Sequence, residues 1–129
     1  MLTKRGWSRC QRALGLGVLF AVLGSAEIAA AGSLHVRESA PAAQAIIHGR
    51  HAEYVIRFDG LVDHAASRIE IVQAGRVIQS LPPLLDSAAD VLFASGEVPA
   101  PGRYVLHWQA RSAVDGIVSD GDIPFTVAP

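Results

Sequence analysis

Histidine is the residue type best suited to chemistry in this chain, and its five copies are unevenly placed. His35 follows Ser33 and Leu34, directly after the small residues Ala29-Ala30-Ala31-Gly32. A cut after Gly32 would start the chain at Ser33-Leu34-His35. A free amine, two backbone amides and an imidazole at position three then form a square-planar chelate suited to Cu(II) or Ni(II). A cut after Ala31 moves His35 to position four, where the chelate is weaker, and small-residue processing rules leave both cuts open. Asp115 is the carboxylate of interest further on, although Asp115-Gly116 is also a turn signal.

The remaining histidines carry less. His48 and His51 sit three apart in His-Gly-Arg-His, a spacing useful on a helix, but no helical pattern surrounds them and they read as solvated loop residues. His107 alternates with Leu106 and Trp108 and so faces away from the core. His64 follows Asp63 in a loop, an uninformative adjacency. Ser112, His107 and Asp115 are the right types for a hydrolytic triad, yet they share one strand and its turn, with no oxyanion feature beside them. The sequence contains no phosphate-binding glycine loop, nucleophile elbow or His-Glu-x-x-His motif. The expectation is a binding protein rather than an enzyme. Cys10 and Met1 are the only sulfur-bearing residues, so the region beyond residue 32 offers no thiolate or thioether ligand and no disulfide.

The first residues have a different character from the rest. Lys4, Arg5, Arg9 and Arg12 precede an apolar run of 12 residues, Ala13 to Gly24, and small residues close the segment. That layout is a secretory signal peptide over residues 1–32. A membrane anchor would need about 20 apolar residues, and Glu27 stands near the end of this run. Residues 33–129 form the expected single domain. They carry seven arginines, no lysine and eleven carboxylates, a balance of −4. Such a domain lacks the basic patches that phosphate contact needs, which excludes nucleic acid as a partner and accommodates cations.

The elements that must position these groups read as short strands. Tyr54, Ile56 and Phe58 alternate with outward residues such as Arg57, and Arg68 to Val72 alternates likewise. Ala74-Gly75-Arg76 is a turn leading to Val77-Ile78, and Val91-Leu92-Phe93 is a short apolar strand. Tyr104, Leu106, Trp108 and Ala110 share one face of a long strand. Asp120-Gly121-Asp122 reads as a second turn, and Ile123 to Val127 as a last strand that Pro124 places at a sheet edge. Leu81 to Asp86 reads as a loop whose apolar residues cap the core, the alternative being a small exposed patch. The fold class is an all-β sandwich or small barrel.

Three stretches, taken in order, carry a family resemblance. They are Ser39-Ala40-Pro41-Ala42, then Tyr54-Val55-Ile56-Arg57-Phe58 with Val62 and Ser67-Arg68-Ile69, then the last quarter. That quarter runs through Gly102, Tyr104 and Trp108 to Ser112, Asp115-Gly116-Ile117, Gly121 and Phe125-Thr126-Val127. Together they resemble the CopC family of periplasmic copper-resistance proteins. The resemblance implies a Greek-key β-sandwich of seven or eight strands, immunoglobulin-like or cupredoxin-like. It also implies periplasmic copper binding, often beside an inner-membrane copper transporter of the CopD type. The family binds Cu(II) through an N-terminal His and an Asp-Gly-His motif. Matched position by position, its first His falls on Ser33, its Asp on Asp115 and its second His on Ile117. An acidic residue found in some relatives falls at Gly60, beside Asp59. The Met-rich Cu(I) loop of some relatives has no counterpart. The expected ligand set is therefore the Ser33 amine, the His35 imidazole and the Asp115 carboxylate, holding Cu(II) for transfer to a membrane partner. The alternative is a sandwich that has lost its metal and serves as a protein-interaction module.

Overall fold

The computed structural model describes residues 34–129. The expected signal peptide and Ser33 lie outside the described residues. Eight strands form two sheets: β1 (Val36–Ala40), β2 (Ala45–Ile47), β3 (His51–Phe58), β4 (Arg68–Gln73), β5 (Arg76–Leu81), β6 (Val91–Glu97), β7 (Gly102–Arg111) and β8 (Val118–Val127). One sheet has the order β1-β3-β6 and the other β2-β8-β7-β4-β5. The expected all-β sandwich is the observed architecture.

Period-two alternation creates the core. Tyr54, Ile56 and Phe58 on β3, with Leu92 and Ala94 on β6, face Ile69, Ile71, Tyr104, Leu106, Trp108, Ala110, Ile123, Phe125 and Val127 of the larger sheet, all buried. Two edge-to-face aromatic pairs tie the sheets together, Phe58 with Trp108 at 5.0 Å and Tyr54 with Phe125 at 6.4 Å between centroids. Tyr104 stacks on Phe125, directly opposite it across β7 and β8, and its hydroxyl donates to the Ala100 carbonyl, holding the turn before β7. Tyr54 also lies fully inside, but its hydroxyl has no partner among the described residues, and burial pushes its pKa up.

Several expectations are corrected. Asp120-Gly121-Asp122 is not a turn: it lies within the ten residues of β8. Gly121 stands opposite Trp108, and a Cβ there would lie 2.7 Å from the indole Cζ2. The glycine lets the indole lie flat against the neighbouring backbone rather than bending the chain. Pro124 is not at an edge either, because β2 pairs in parallel with Phe125–Val127. A strand residue points its N–H and C=O to the same side, and the Pro124 carbonyl accepts from Gln44 N–H at 2.7 Å. Its missing donor therefore faces the end of β2, and the β7 ladder stays whole. In the 81–86 segment Leu81 alone is buried, at the end of β5, while Leu84 and Leu85 are exposed. Strands β1 and β2 were not expected, the first being largely exposed and the second three residues long.

A short 3-10 turn, His64–Ala66, braces the β7 end. His64 Nε2 lies 3.0 Å from the Ala88 carbonyl and 2.9 Å from the Val91 carbonyl. Both are acceptors, so Nε2 carries the proton and donates to both. His64 is a structural clamp between this turn and the start of β6. Ser67 Oγ donates to the Asp63 carbonyl and accepts from Arg111 N–H, joining the same turn to the end of β7.

Two stability outcomes follow from the core. Tyr54→Phe removes a buried hydroxyl without a partner and raises unfolding free energy by about 1 kcal/mol, read from the urea midpoint. Gly121→Ala forces a methyl into Trp108 and lowers stability by about 1–3 kcal/mol in the same assay, with a red-shifted or broadened tryptophan emission reporting the displaced indole.

Candidate metal centre

The first described residues cross one end of the sandwich into β1. Leu34 is buried there, and a Cβ on Gly60 would sit 3.0 Å from Leu34 Cδ2, so the glycine makes room for the leucine. Burying a leucine side chain contributes about 1.5–3 kcal/mol. The Leu34 N–H donates to Ser119 Oγ at 3.1 Å, fixing the segment to the first turn of pairing in β8.

Asp59 grips the next residue from the end of β3. The His35 N–H donates to Asp59 Oδ1 at 2.9 Å, His35 Nδ1 lies 3.0 Å from Asp59 Oδ2, and the Asp59 N–H donates back to the His35 carbonyl at 3.0 Å. The His35 amide, and after it the imidazole, hold the Asp59 carboxyl below the usual aspartate range. An ionised carboxylate only accepts, so Nδ1 carries the proton in this contact and Nε2 of the neutral ring keeps its lone pair. The His35 side chain is 65% exposed, leaving that nitrogen open to solvent.

Asp115 lies in the turn between β7 and β8. Its Oδ1 accepts from the Ile117 N–H at 3.0 Å, an Asx-type closure. Ser112 Oγ accepts from the Val114 and Asp115 amides, and Gly116, at φ +74°, takes the left-handed conformation that glycine favours. Asp115 thus has a turn-forming role, with Oδ2 not engaged in it. Ile117 is 43% exposed at this end of the sandwich. Ser119, four residues beyond Asp115, is the link between this hairpin and the N-terminal segment.

Of the expected ligands, the structure therefore describes His35 held against Asp59, and Asp115 in the adjoining hairpin turn. Among the described residues no group of three or more His, Cys, Asp and Glu side chains is arranged to hold a metal ion. The donor chemistry present is one oriented imidazole with nearby carboxylates, which suits a borderline cation such as Cu(II) but needs a further nitrogen to complete a strong site.

The other candidates are engaged elsewhere. His107 Nδ1 lies 2.7 Å from Asp122 Oδ1, directly across the ladder, and Ser112 is committed to its turn, so Ser112, His107 and Asp115 do not assemble as a triad. His51 opens β3 opposite Glu97, and His48 lies in the exposed turn before it. Asp59 and Ser119 were absent from the expected ligand set. Asp59 directly follows a strand legible from its alternation, but its meeting with His35 follows from the β1–β3 register, which starts at Val36 opposite Phe58. Ser119 carried no local signal.

Because Asp59 has a depressed pKa when docked, the docked state binds fewer protons than the released one. Its contribution is present above the ordinary aspartate range and is lost as pH falls through the lowered value. Amide exchange at Leu34 and His35 in the metal-free protein should accelerate on acidification from neutral pH to about pH 2, relative to amides in β7. In Asp59→Asn that acid limb should be absent.

Comparison with known proteins bears on the whole domain. Residues 36–128 match the CopC domain. The crystal structure of CopC from Methylosinus trichosporium OB3b superposes with a TM-score of 0.64 at 26% identity, covering 75% of this chain and 95% of that one. A crystallised engineered protein superposes with a TM-score of 0.56 at 22% identity, over 75% of this chain and 20% of its own, a likeness of fold alone. No curated protein sequence matches this one. The domain match spans the sandwich from β1 to the residue after β8, so the chain belongs to the CopC domain family.

Proposed function

We propose that this CopC-family protein works in periplasmic copper homeostasis, holding Cu(II) at an altered N-terminal site and passing it to a membrane partner. The observation that supports this reading most is the placing of His35. A solvent-open imidazole stands two residues from the expected new N-terminus, oriented by a carboxylate. The Ser33 amine and the His35 imidazole are the nitrogen ligands in this reading, and Asp115, through the oxygen its turn leaves free, is the carboxylate. The family's second imidazole is replaced by Ile117, so the site leans on the N-terminus more heavily than the family pattern does.

The domain's acidic balance favours approach of a cation over an anion. In this reading the membrane partner is an inner-membrane transporter of the CopD type, as the family resemblance implies. The protein acts by binding in this reading, with Ser112 engaged in its turn and His107 paired with Asp122.

A second reading has its own support. The exposed Ile117, at the position of the family's imidazole, is an apolar side chain at the rim of the hairpin turn, as expected for a sandwich turned to protein interaction. Intact mass of the exported protein, followed by Cu(II) titration of the same material, separates the two. A chain starting at Ser33 that takes up one Cu(II), with uptake lost in His35→Ala, supports the copper reading. A chain starting elsewhere that binds no copper leaves the interaction module.

A further inference from the structure

The nitrogens that an N-terminal chelate would use are the nitrogens that dock the N-terminal segment. In a chelate built on Ser33-Leu34-His35, the metal takes the amine, the Leu34 amide nitrogen, the His35 amide nitrogen and His35 Nδ1, the ring nitrogen that closes a six-membered chelate ring. In the structure the Leu34 N–H is given to Ser119 Oγ, the His35 N–H to Asp59 Oδ1, and Nδ1 to Asp59 Oδ2. Three of the four donor atoms are thus already engaged, by two residues.

We propose that Asp59 and Ser119 are affinity-setting residues that compete with copper for the Leu34 amide, the His35 amide and His35 Nδ1, so that metal capture and docking of the N-terminal segment exclude each other. The inference rests on the N-terminal chelate of the proposed function and adds what governs its strength. The chemistry balances without a redox step. Four Cu–N bonds form, and copper stays Cu(II). The ammonium gives up one proton, and the Leu34 and His35 N–H bonds break; these three protons go to solvent. The imidazole proton moves from Nδ1 to Nε2. Ser119 Oγ and the Asp59 carboxylate lose their donors and return to water.

The consequence is structural as well as energetic. Leu34 lies in the core cluster above Gly60, held there by the same contacts that copper would displace. Loading would therefore loosen the start of β1 from Ser119 and Asp59, and present the metal on a segment released from the sandwich end. The alternative role for Asp59 is as an oxygen ligand in its own right, since it touches the one described imidazole of the site. The two roles predict opposite signs. A ligand's removal weakens copper binding, whereas a competitor's removal strengthens it.

The test uses protein verified by mass to begin at Ser33, titrated with Cu(II) against glycine as competitor, with the visible d–d band reporting a four-nitrogen plane. Asp59→Ala should tighten Cu(II) about tenfold and Ser119→Ala about threefold, the changes expected for releasing a charge-assisted pair and a single neutral hydrogen bond. Asp59→Asn, which keeps one acceptor and the side-chain volume, should fall between wild type and alanine and guards against loss of fold. In the metal-free variants, amide exchange at Leu34 and His35 should rise while that of β7 stays unchanged. Weaker binding in Asp59→Ala would make Asp59 a ligand and overturn the proposal. So would unchanged affinity in all three variants while the wild type shows the four-nitrogen band, in which case the chelate stands and only the competition falls. Absence of that band in wild type and variants alike removes the chelate itself, and the competition with it.

Discussion

The pairing of β7 with β8 is the constraint on which the rest of the structure depends. Ten consecutive residues of each strand are in register, from Gly102 opposite Val127 to Arg111 opposite Val118. This ladder puts β4 along one side and β2 along the other, and it supplies seven of the seventeen buried core hydrophobics. Its closing turn holds Asp115, and its far strand begins with the residues that receive the N-terminal segment. A one-residue slip of β8 would turn Ile123 and Phe125 outward and carry Ser119 to the opposite face. Gly121 guards the register, because no other position on β8 offers Trp108 a neighbour without a side chain. The geometry of the candidate centre is thus set by packing some distance from it.

The polar groups show a division of labour that residue types alone do not reveal. Among the five histidines, His64 is spent on two carbonyls and His107 on Asp122, while His51 and His48 sit at the opposite end of β3 from Asp59. Only His35 combines an oriented ring with an open nitrogen beside the first described residue, Leu34. Asp115 and Ser112 are both committed to closing the hairpin, which makes the turn rigid before any ligand arrives. A carboxylate whose one oxygen is fixed by a backbone amide is a positioned donor, so turn formation and metal ligation are compatible uses of Asp115.

What the sequence made legible follows the physics of burial. Strands with one buried face, β3, β4 and β7, announce themselves by alternation, because each inward residue gains from leaving water and each outward one does not. β1 is mostly exposed and β2 is too short to alternate, so their existence depends on partners supplied by the fold. Gly121 and Pro124 misled for the same reason. Both residues usually punctuate a chain, but here one answers a close approach from Trp108 and the other turns its missing donor toward the end of β2. The ordered stretches from Ser39 to Val127 pointed to the family, and the domain match covers that span. The pairing of His35 with Asp59 was beyond reach, since it joins residues 24 apart through a register that only the folded sheet defines.

The replacement of an imidazole position by Ile117 shifts the demand on the N-terminus. With a second imidazole, copper can be held against the sandwich by groups the fold already positions. Without it, the proposed copper reading draws its nitrogen donors from the backbone itself, and backbone amides are available only where the chain is free to leave its hydrogen bonds. The segment at Leu34 and His35 is of that kind: one buried leucine, a few side-chain acceptors and a single backbone bond, from Asp59 N–H to the His35 carbonyl, ahead of Val36 opposite Phe58. Such end segments open at low cost compared with the core strands. In the proposed function, that low cost is what would let the segment exchange its docking contacts for a cation.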